Sequence, residues 1–325
     1  MKIMFVTTNP HYKYDLPNKS GWNMLPSKFT QKGIKVLGLG KYELHTFLAK
    51  YFQFKPDLII VEWVPSSTIP IFLKKLGIVK CPIILNWGDY YADMMTNYPH
   101  FLIKLMEDYS VKNADYITTV SKRNEEIAKK IGKKVYYIPH GVFETNLKSK
   151  INLDKLKTKN FNVKVIYLGE QSKWKKVDQI ISAAKTSNCD LFLFGATNEE
   201  FAKTAKENKN IHFMGYIPEL EVNSVLTQAD ILVSTSDQDC NYKFFEYIHA
   251  GKPILTYDGL PAKLFIHKKN AFLTKDFKQG LLELITNKRL REKLERNIKK
   301  IKTFTWDEIT EKYLSLFNKI ISNKV

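Results

Sequence analysis

The chain has 325 residues, 44% of them hydrophobic and 26% charged, with 51 Lys and Arg against 33 Asp and Glu and a formal net charge of +18. That length is too great for one small core and suits two domains of ordinary size in a globular protein. No run of about 18 apolar residues is present, which excludes a membrane-spanning helix by sequence.

Cys81, Cys189 and Cys240 lie far apart with no CxxC pair, so neither a disulfide framework nor a zinc knuckle is expected, and a reducing, cytoplasmic compartment is. The opening "MKIMFVTTNP" turns polar too early for a secretory signal and reads as a first strand. The basic excess is spread over both halves, +10 in residues 1–150 and +8 in the remainder. A solvated lysine-rich surface, attraction to anionic lipid or another polyanion, and nucleic-acid binding all fit such a charge. No helix-turn-helix, zinc finger or aromatic RNA-binding signature organises it, so no nucleic-acid partner is expected. An anionic membrane surface, met peripherally on its inner face, remains open.

Short apolar runs alternate with helix-period segments, the pattern of parallel α/β sheets. In the first half the predicted strands are 3–7, 34–37, 57–62, 82–86, 116–120 and 135–138. Between them lie helical stretches such as "HFLIKLMEDYSVKN", whose Leu102, Leu105, Met106 and Tyr109 repeat on one helical face. The polar, lysine-rich "FETNLKSKINLDKLKTKN" (143–160) separates the halves. Strands at 163–168, 191–194, 211–214, 231–234 and 253–257 follow. Near the end, Trp306, Ile309, Tyr313, Leu316 and Ile320 share one face of a final helix. The expected domains are 1–145 and 146–305, each a doubly wound Rossmann-like parallel sheet, with 306–325 a helix that can pack back on the first.

The stretch "NYKFFEYIHAGKPI" (241–254) is an amphipathic helix stopped by Gly251. Asp239 or Asn241 can cap it, and the amides behind the cap form an anion-binding end. Lys243 in the first turn opposes the helix dipole unless an anion offsets it, and Glu246 can accept from sugar hydroxyls. The competing local reading is a surface Lys–Glu pair three residues apart.

Four further segments bear on the choice: "KVYYIPHGV", "VKVIYLGEQSKWKKVDQIISAA", "DLFLFGATNEE" and "NIHFMGYIPELEVNSVLTQADILVSTS". With "KFFEYIHAGKPI", this ordered set resembles the C-terminal half of retaining glycosyltransferases of family four, which have the GT-B fold. "KPDLIIVEW", "PIILNWGDYY" and "ADYITTVSKRNEEIAKKIG" resemble the N-terminal half of that family less closely. The resemblance implies two Rossmann-like domains facing across a cleft. It also implies metal-independent transfer, with retention, of a sugar from a nucleotide-sugar to a glycan, lipid-linked or other hydroxyl acceptor. No cofactor is implied, the nucleotide-sugar being a substrate.

Carried over by position, the resemblance puts Lys175 on the donor diphosphate and Glu246 on the ribose. Asp239, Cys240, Asn241 and Tyr242 fall at the helix start that holds the diphosphate, and Tyr216 and Ile217 where the base lies. Gly21 falls in the first-domain loop near the phosphate. Trp22 and Tyr14 can stack on a sugar, and His11 follows the first strand. His140 and His249 read as packing residues, and no two histidines have metal-ligand spacing.

Departures from the family pattern are equally specific. Gln238 stands where a second glutamate is common, Glu170 where an arginine is, and Gly88 where a histidine is. Lys173 can restore the charge missing at Glu170, and Asp89 is the ionisable group nearest Gly88. These replacements motivate the rival expectation of a catalytically inactive GT-B-fold binding or scaffolding subunit.

Overall fold

The computed structural model describes residues 1–7, 24–95, 97–144, 149–156, 163–171, 175–196, 203 and 207–322. The chain divides into two units, Met1–Gly141 with Trp306–Val325, and Val142–Thr305.

The first unit is built on β1 (Lys2–Val6), β2 (Lys35–Leu39), β3 (Leu58–Val61), β4 (Ile83–Asn86), β5 (Tyr116–Thr119) and β6 (Val135–Tyr137). They form a six-stranded sheet in the order β2-β1-β3-β4-β5-β6, parallel at each pairing, with Ile3 opposite Leu58 and Ile59 opposite Ile83. Its helices are α1 (Met24–Gln31), α2 (Phe47–Phe54), α3 (Thr68–Lys75), α4 (Tyr91–Met94), α5 (His100–Asn113) and α6 (Lys122–Lys130). Helices cover both faces of such a sheet, which is why "LIIV" of β3 is apolar without alternation and buried throughout.

The second unit has β7 (Lys164–Leu168), β8 (Asp190–Phe194), β9 (Ile211–Gly215), β10 (Ile231–Ser234), β11 (Ile254–Tyr257) and β12 (Phe272–Thr274), in the order β12-β11-β10-β7-β8-β9. Around them are α7 (Val177–Lys185), α8 (Val222–Leu226), α9 (Tyr242–Ala250), α10 (Phe277–Thr286) and α11 (Lys288–Ile298). The pleat divides the core. Val165, Leu191 and Val233 point into one cluster, while Ile166, Phe192 and Leu232 point into the other. The three-residue β12 escaped sequence reading because "FLT" is too short to show a period.

The last helix, α12 (Trp306–Ser322), buries Trp306, Ile309, Tyr313, Leu316 and Ile320 on its anticipated face. It packs in the first unit, with Phe317 edge-on to Phe29 of α1 at 5.3 Å and ion pairs Lys28–Asp307 (2.8 Å) and Lys32–Glu311 (2.6 Å).

One helical stripe meets the core only in part, Met106 and Tyr109 packing against it. In α5 the buried residues are Ile103, Glu107, Ser110 and Val111, whereas Leu102 and Leu105 of the apolar stripe are 41% and 65% exposed. The cause is Glu107. Its carboxylate accepts from Trp87 Nε1 at 2.7 Å and from the amides of Tyr91 (2.7 Å) and Ala92 (2.9 Å). That inward anchor centres the buried face on Glu107, keeping Met106 and Tyr109 at its edge and leaving Leu102 and Leu105 outside.

Candidate active site

In each unit the strand order reverses at one place, between β1 and β3 in the first and between β7 and β10 in the second. Ligands of open parallel sheets gather beyond the carboxyl ends of the strands at such reversals.

In the second unit those ends are cleared by glycine. Gly169, Gly195 and Gly215 terminate β7, β8 and β9, all with positive φ, and the Gly195 amide donates to the Gly215 carbonyl at 2.8 Å. A Cβ on Gly195 would lie 2.1 Å from the Gly169 carbonyl oxygen, so no other residue fits there. Across the reversal, Thr235 beyond β10 donates through its hydroxyl to the Lys175 carbonyl, and Lys176 Nζ pairs with Asp237 at 2.8 Å. Lys175 is half-buried between β7 and α7. It therefore enters at the same reversal that α9 approaches from β10.

Asn241 caps α9. Its side-chain oxygen accepts from the Lys243 amide at 3.1 Å, and its side-chain amide donates to Ser234 Oγ at 3.2 Å, fixing the helix start to the end of β10. One turn in, Glu246 is only 5% exposed, so the surface-pair reading is overturned. Lys243 Nζ stands 3.2 Å from its Oε2. Burial raises the Glu246 carboxyl above its ordinary range, against Lys243 and a hydrogen bond from Tyr242.

Glu246 lines a small pocket with Val142, Phe143, Glu219, Asn223 and His249. Its Oε2 has the Lys243 ammonium as its charged neighbour, and Asn223 Oδ1 is buried without a hydrogen bond. Burial and the charge of Glu246 push Glu219 up to about 7, with Lys243 opposing them. A site rich in acceptors and short of donors suits hydroxyl groups. His249 is thus on the pocket wall rather than only packed, its Nδ1 3.1 Å from Thr303 Oγ1 and its imidazole held below its usual range by burial.

The remaining donor-side candidates divide by burial. Tyr216 is 65% exposed beyond β9, whereas Ile217 is 4% exposed in the core. The Ile217 side chain is therefore unavailable to a base, and this turn has its backbone to offer. Gln238 is half-buried with Nε2 3.2 Å from Asp237 Oδ1. Asp239 and Cys240 are buried. Lys173, Gly21, Trp22, Tyr14 and His11 lie outside the described residues.

Residues 149–301 match the family Glycosyl transferases group 1. This group 1 segment contains Lys175, Glu219, Lys243 and Glu246, and lies within the second unit. Among solved structures, the chain is similar to sucrose-phosphate synthase (tll1590) from Thermosynechococcus elongatus, with TM-score 0.79, 12% identity and 99% of each chain covered. It is similar to Anabaena Alr3699/HepE in complex with UDP, with TM-score 0.72, 14% identity, and 98% of this chain and 100% of that one covered. A putative UDP-N-acetylglucosamine 2-epimerase from Listeria monocytogenes is also similar, with TM-score 0.66, 10% identity, and 99% of this chain and 97% of that one covered. No curated protein matches the chain. At these identities the likeness shows the fold, which is GT-B: two α/β units with six-stranded parallel sheets.

The first unit's strand ends differ from those of the group 1 segment. Glu62, directly after β3, accepts from Asn86 Nδ2 at 2.5 Å, and Asn86 Oδ1 takes Thr118 Oγ1 at 3.0 Å and the Tyr313 hydroxyl at 3.4 Å. Burial pushes Glu62 up to about 7 against the hydrogen bonds from Asn86 and Thr7, and the charge of Asp89 adds to the rise. Asp89 is half-buried after β4, and a Cβ on Gly88 beside it would meet Val120 Cγ1 at 4.0 Å, an ordinary contact. Sequence reading named Asp89 and passed over Glu62 and Glu219. The signal for Glu62 was present in "LIIVE", a carboxyl immediately after a buried strand at the reversal. Glu219 gave none, since its burial depends on α9.

Proposed function

We propose that the protein is a glycosyltransferase that moves a sugar from a nucleotide-sugar to a hydroxyl acceptor, a glycan or lipid-linked saccharide, with retention and without a metal. The observation that supports this best is the buried Glu246 carboxyl beside Lys243 at the start of α9, inside the matched group 1 segment. A ribose diol would donate to this carboxylate beside Lys243. The amides at the capped start of α9 and the Lys175 ammonium hold the diphosphate.

In the reaction the acceptor oxygen bonds to the anomeric carbon on the face from which the diphosphate departs. The bond from that carbon to the phosphate oxygen breaks, and the acceptor proton passes to the departing diphosphate. Lys175 and the helix-start amides stabilise the charge that accumulates there. The chain's part is to bind, orient and neutralise. Asp89 and Glu62, at the strand ends of the first unit, are the groups available to an acceptor hydroxyl.

A thermal-shift panel of UDP-, GDP-, ADP- and CMP-sugars, followed by donor hydrolysis without acceptor, tests the proposal. Stabilisation by one nucleotide class with slow release of free sugar is expected. Binding with no hydrolysis and no transfer would leave the inactive-subunit reading that Gln238, Glu170 and Gly88 motivate. Conversion of a UDP-sugar to its epimer, with no transfer, would replace transferase with epimerase.

A further inference from the structure

The turn after β3 holds a tryptophan in a conformation that its side chain disfavours. Trp63 has a φ of 60°, in the left-handed region where a bulky residue is rare. Its backbone is tied there on both sides. It is hydrogen-bonded to the Tyr91 hydroxyl, and its carbonyl accepts from the Ser67 amide at 2.7 Å. The indole is laid on the same tyrosine, with ring centroids 4.9 Å apart and planes 26° from parallel. Tyr91 is a fixed base for it: 1% exposed, with its amide donating to Glu107 at 2.7 Å and its hydroxyl to the Asn86 carbonyl at 2.9 Å. Trp63 itself is only half-buried. Backbone strain persists where the surroundings over-determine it, and it gathers at binding sites. Packing alone would be met by an aliphatic side chain in an ordinary turn.

The groups beside this ring are acidic. Glu62 immediately precedes it, accepting from Asn86 Nδ2 at 2.5 Å and from Thr7. Asp89, half-buried after β4, is near enough for its charge to act on both Glu62 and the Tyr91 phenol. One crest thus carries an aromatic ring on a rigid support together with two carboxyls. A pyranose has the matching surface. Its axial C–H bonds carry partial positive charge toward the negative face of an indole, and its rim hydroxyls donate to carboxyl oxygens. A phosphate or carboxylate on the ligand would instead meet charge of its own sign.

We infer that Trp63 is the platform on which an uncharged saccharide acceptor lies, with Glu62 and Asp89 taking hydroxyls at the edge of the sugar ring. The inference rests on the sugar-transfer reading and deepens it, by naming a neutral pyranoside as the acceptor class and Trp63 as the residue that selects it. The stacked pair and both carboxyls belong to the first unit, so the saccharide binds without the nucleotide.

Saturation-transfer NMR of the full chain tests it, with methyl glucoside, methyl galactoside, methyl mannoside, maltose and lactose as neutral probes and glucose 6-phosphate and glucuronate as charged ones. At least one neutral probe is expected to bind, with saturation concentrated on the C–H protons of one face, and the charged probes to bind more weakly. Trp63→Leu keeps an apolar side chain and loses the flat ring, so affinity for that probe should fall about tenfold. Trp63→Phe should recover most of it. A second readout does not depend on how the variants fold. With 5-fluorotryptophan at all five tryptophans of the wild-type chain, the ¹⁹F resonance that Trp63→Phe removes should shift on adding the bound probe. Binding of none of the neutral probes overturns the inference, as does tighter binding of the charged ones, equal affinity in Trp63→Leu, or a Trp63 resonance that stays in place. The UDP thermal shift is read on the same samples. A nucleotide response without saccharide binding overturns the platform alone, whereas saccharide binding at Trp63 with no response to any nucleotide-sugar overturns the transferase reading and leaves the platform standing.

Discussion

The two units share six parallel strands and differ in what they place at the strand ends. The second reverses as β9-β8-β7-β10, with two strands beyond the crossover, and its crest is glycine, capped helix start and lysine. The first has one strand beyond its reversal, β2, and its crest is a hydrogen-bonded set of Glu62, Asn86, Thr118 and Tyr313. Backbone amides and ammonium groups suit a ligand with fixed negative charge, whereas carboxyl and amide side chains suit neutral hydroxyls. On the proposed function, the second unit's strand ends would suit a diphosphate and the first unit's an alcohol, a difference set by side chain rather than by topology.

The largest test of that contrast removes the glycine crest. In Gly195→Ala the new Cβ would meet a main-chain oxygen at 2.1 Å, which no rotamer change can relieve, at a φ of +127°. A loss of about 3–5 kcal/mol is expected from overpacking and backbone strain together, read as the shift in urea midpoint. A wild-type midpoint would mean that β7 and β8 do not abut as described.

Next in size is Lys175→Ala. Removing a stabiliser of developing charge costs on the order of a hundredfold to a thousandfold in turnover. The second unit should be no less stable, since the Lys175 group that Thr235 engages is its carbonyl, which any residue keeps. Wild-type turnover in this variant would move the role elsewhere, with Lys176 the neighbouring cation. Lys176 is already paired with Asp237, so its own replacement should loosen the β10 loop as well as binding.

How much of this was legible depends on whether a signal is local. The strands announced themselves because both faces are buried, and α12 because its five inward residues fall on one helical face. The Asn241 cap and the Lys243–Glu246 pair were readable for the same reason, all lying within six consecutive residues. The inward face of α5 was not readable, since it is set by Glu107 reaching Trp87, Tyr91 and Ala92 across the chain. Periodicity reported a hydrophobic stripe correctly and could not say which side of it met the core. Glu219 was missed on similar grounds, its burial and its neighbour Glu246 arising from segments distant in sequence, whereas Glu62 had a local signal after β3.

A smaller effect is expected at Glu246. Glu246→Gln keeps the shape and loses the charge that Lys243 balances, so Lys243 is left facing an amide. Hydrogen bonds to charged groups are worth about 1.5–3 kcal/mol, and nucleotide binding should weaken by roughly 10- to 100-fold with donor-independent folding retained. Calorimetric titration with UDP and GDP measures it. Unchanged affinity for every nucleotide would remove Glu246 from the site while leaving Lys175 untouched.

The smallest effect compares the units directly, because each holds one carboxyl at about 7, Glu62 in the first and Glu219 in the second. Both are raised from an ordinary value of 4.5, so between those values the folded chain binds more protons than the unfolded one. Stability therefore falls as pH rises through that window and levels off above it. Glu43, held low by Lys50, and Glu125, held low by Lys122 and Lys129, act below their ordinary range, while His249, held low by burial, opposes the trend below its ordinary value of 6.5. Melting temperatures measured from pH 5 to 8 should decline for wild type and flatten partly in Glu62→Gln and partly in Glu219→Gln. The two flattenings should add, since the carboxyls belong to different units and share no partner. UDP should alter the Glu219 share alone, because a ligand bound at Glu246 changes the burial that chiefly raises Glu219 and leaves Glu62 where it was. If UDP moves both shares, the carboxyls communicate through the ligand, and the division between a charged end and a hydroxyl end is less complete than the two strand orders suggest.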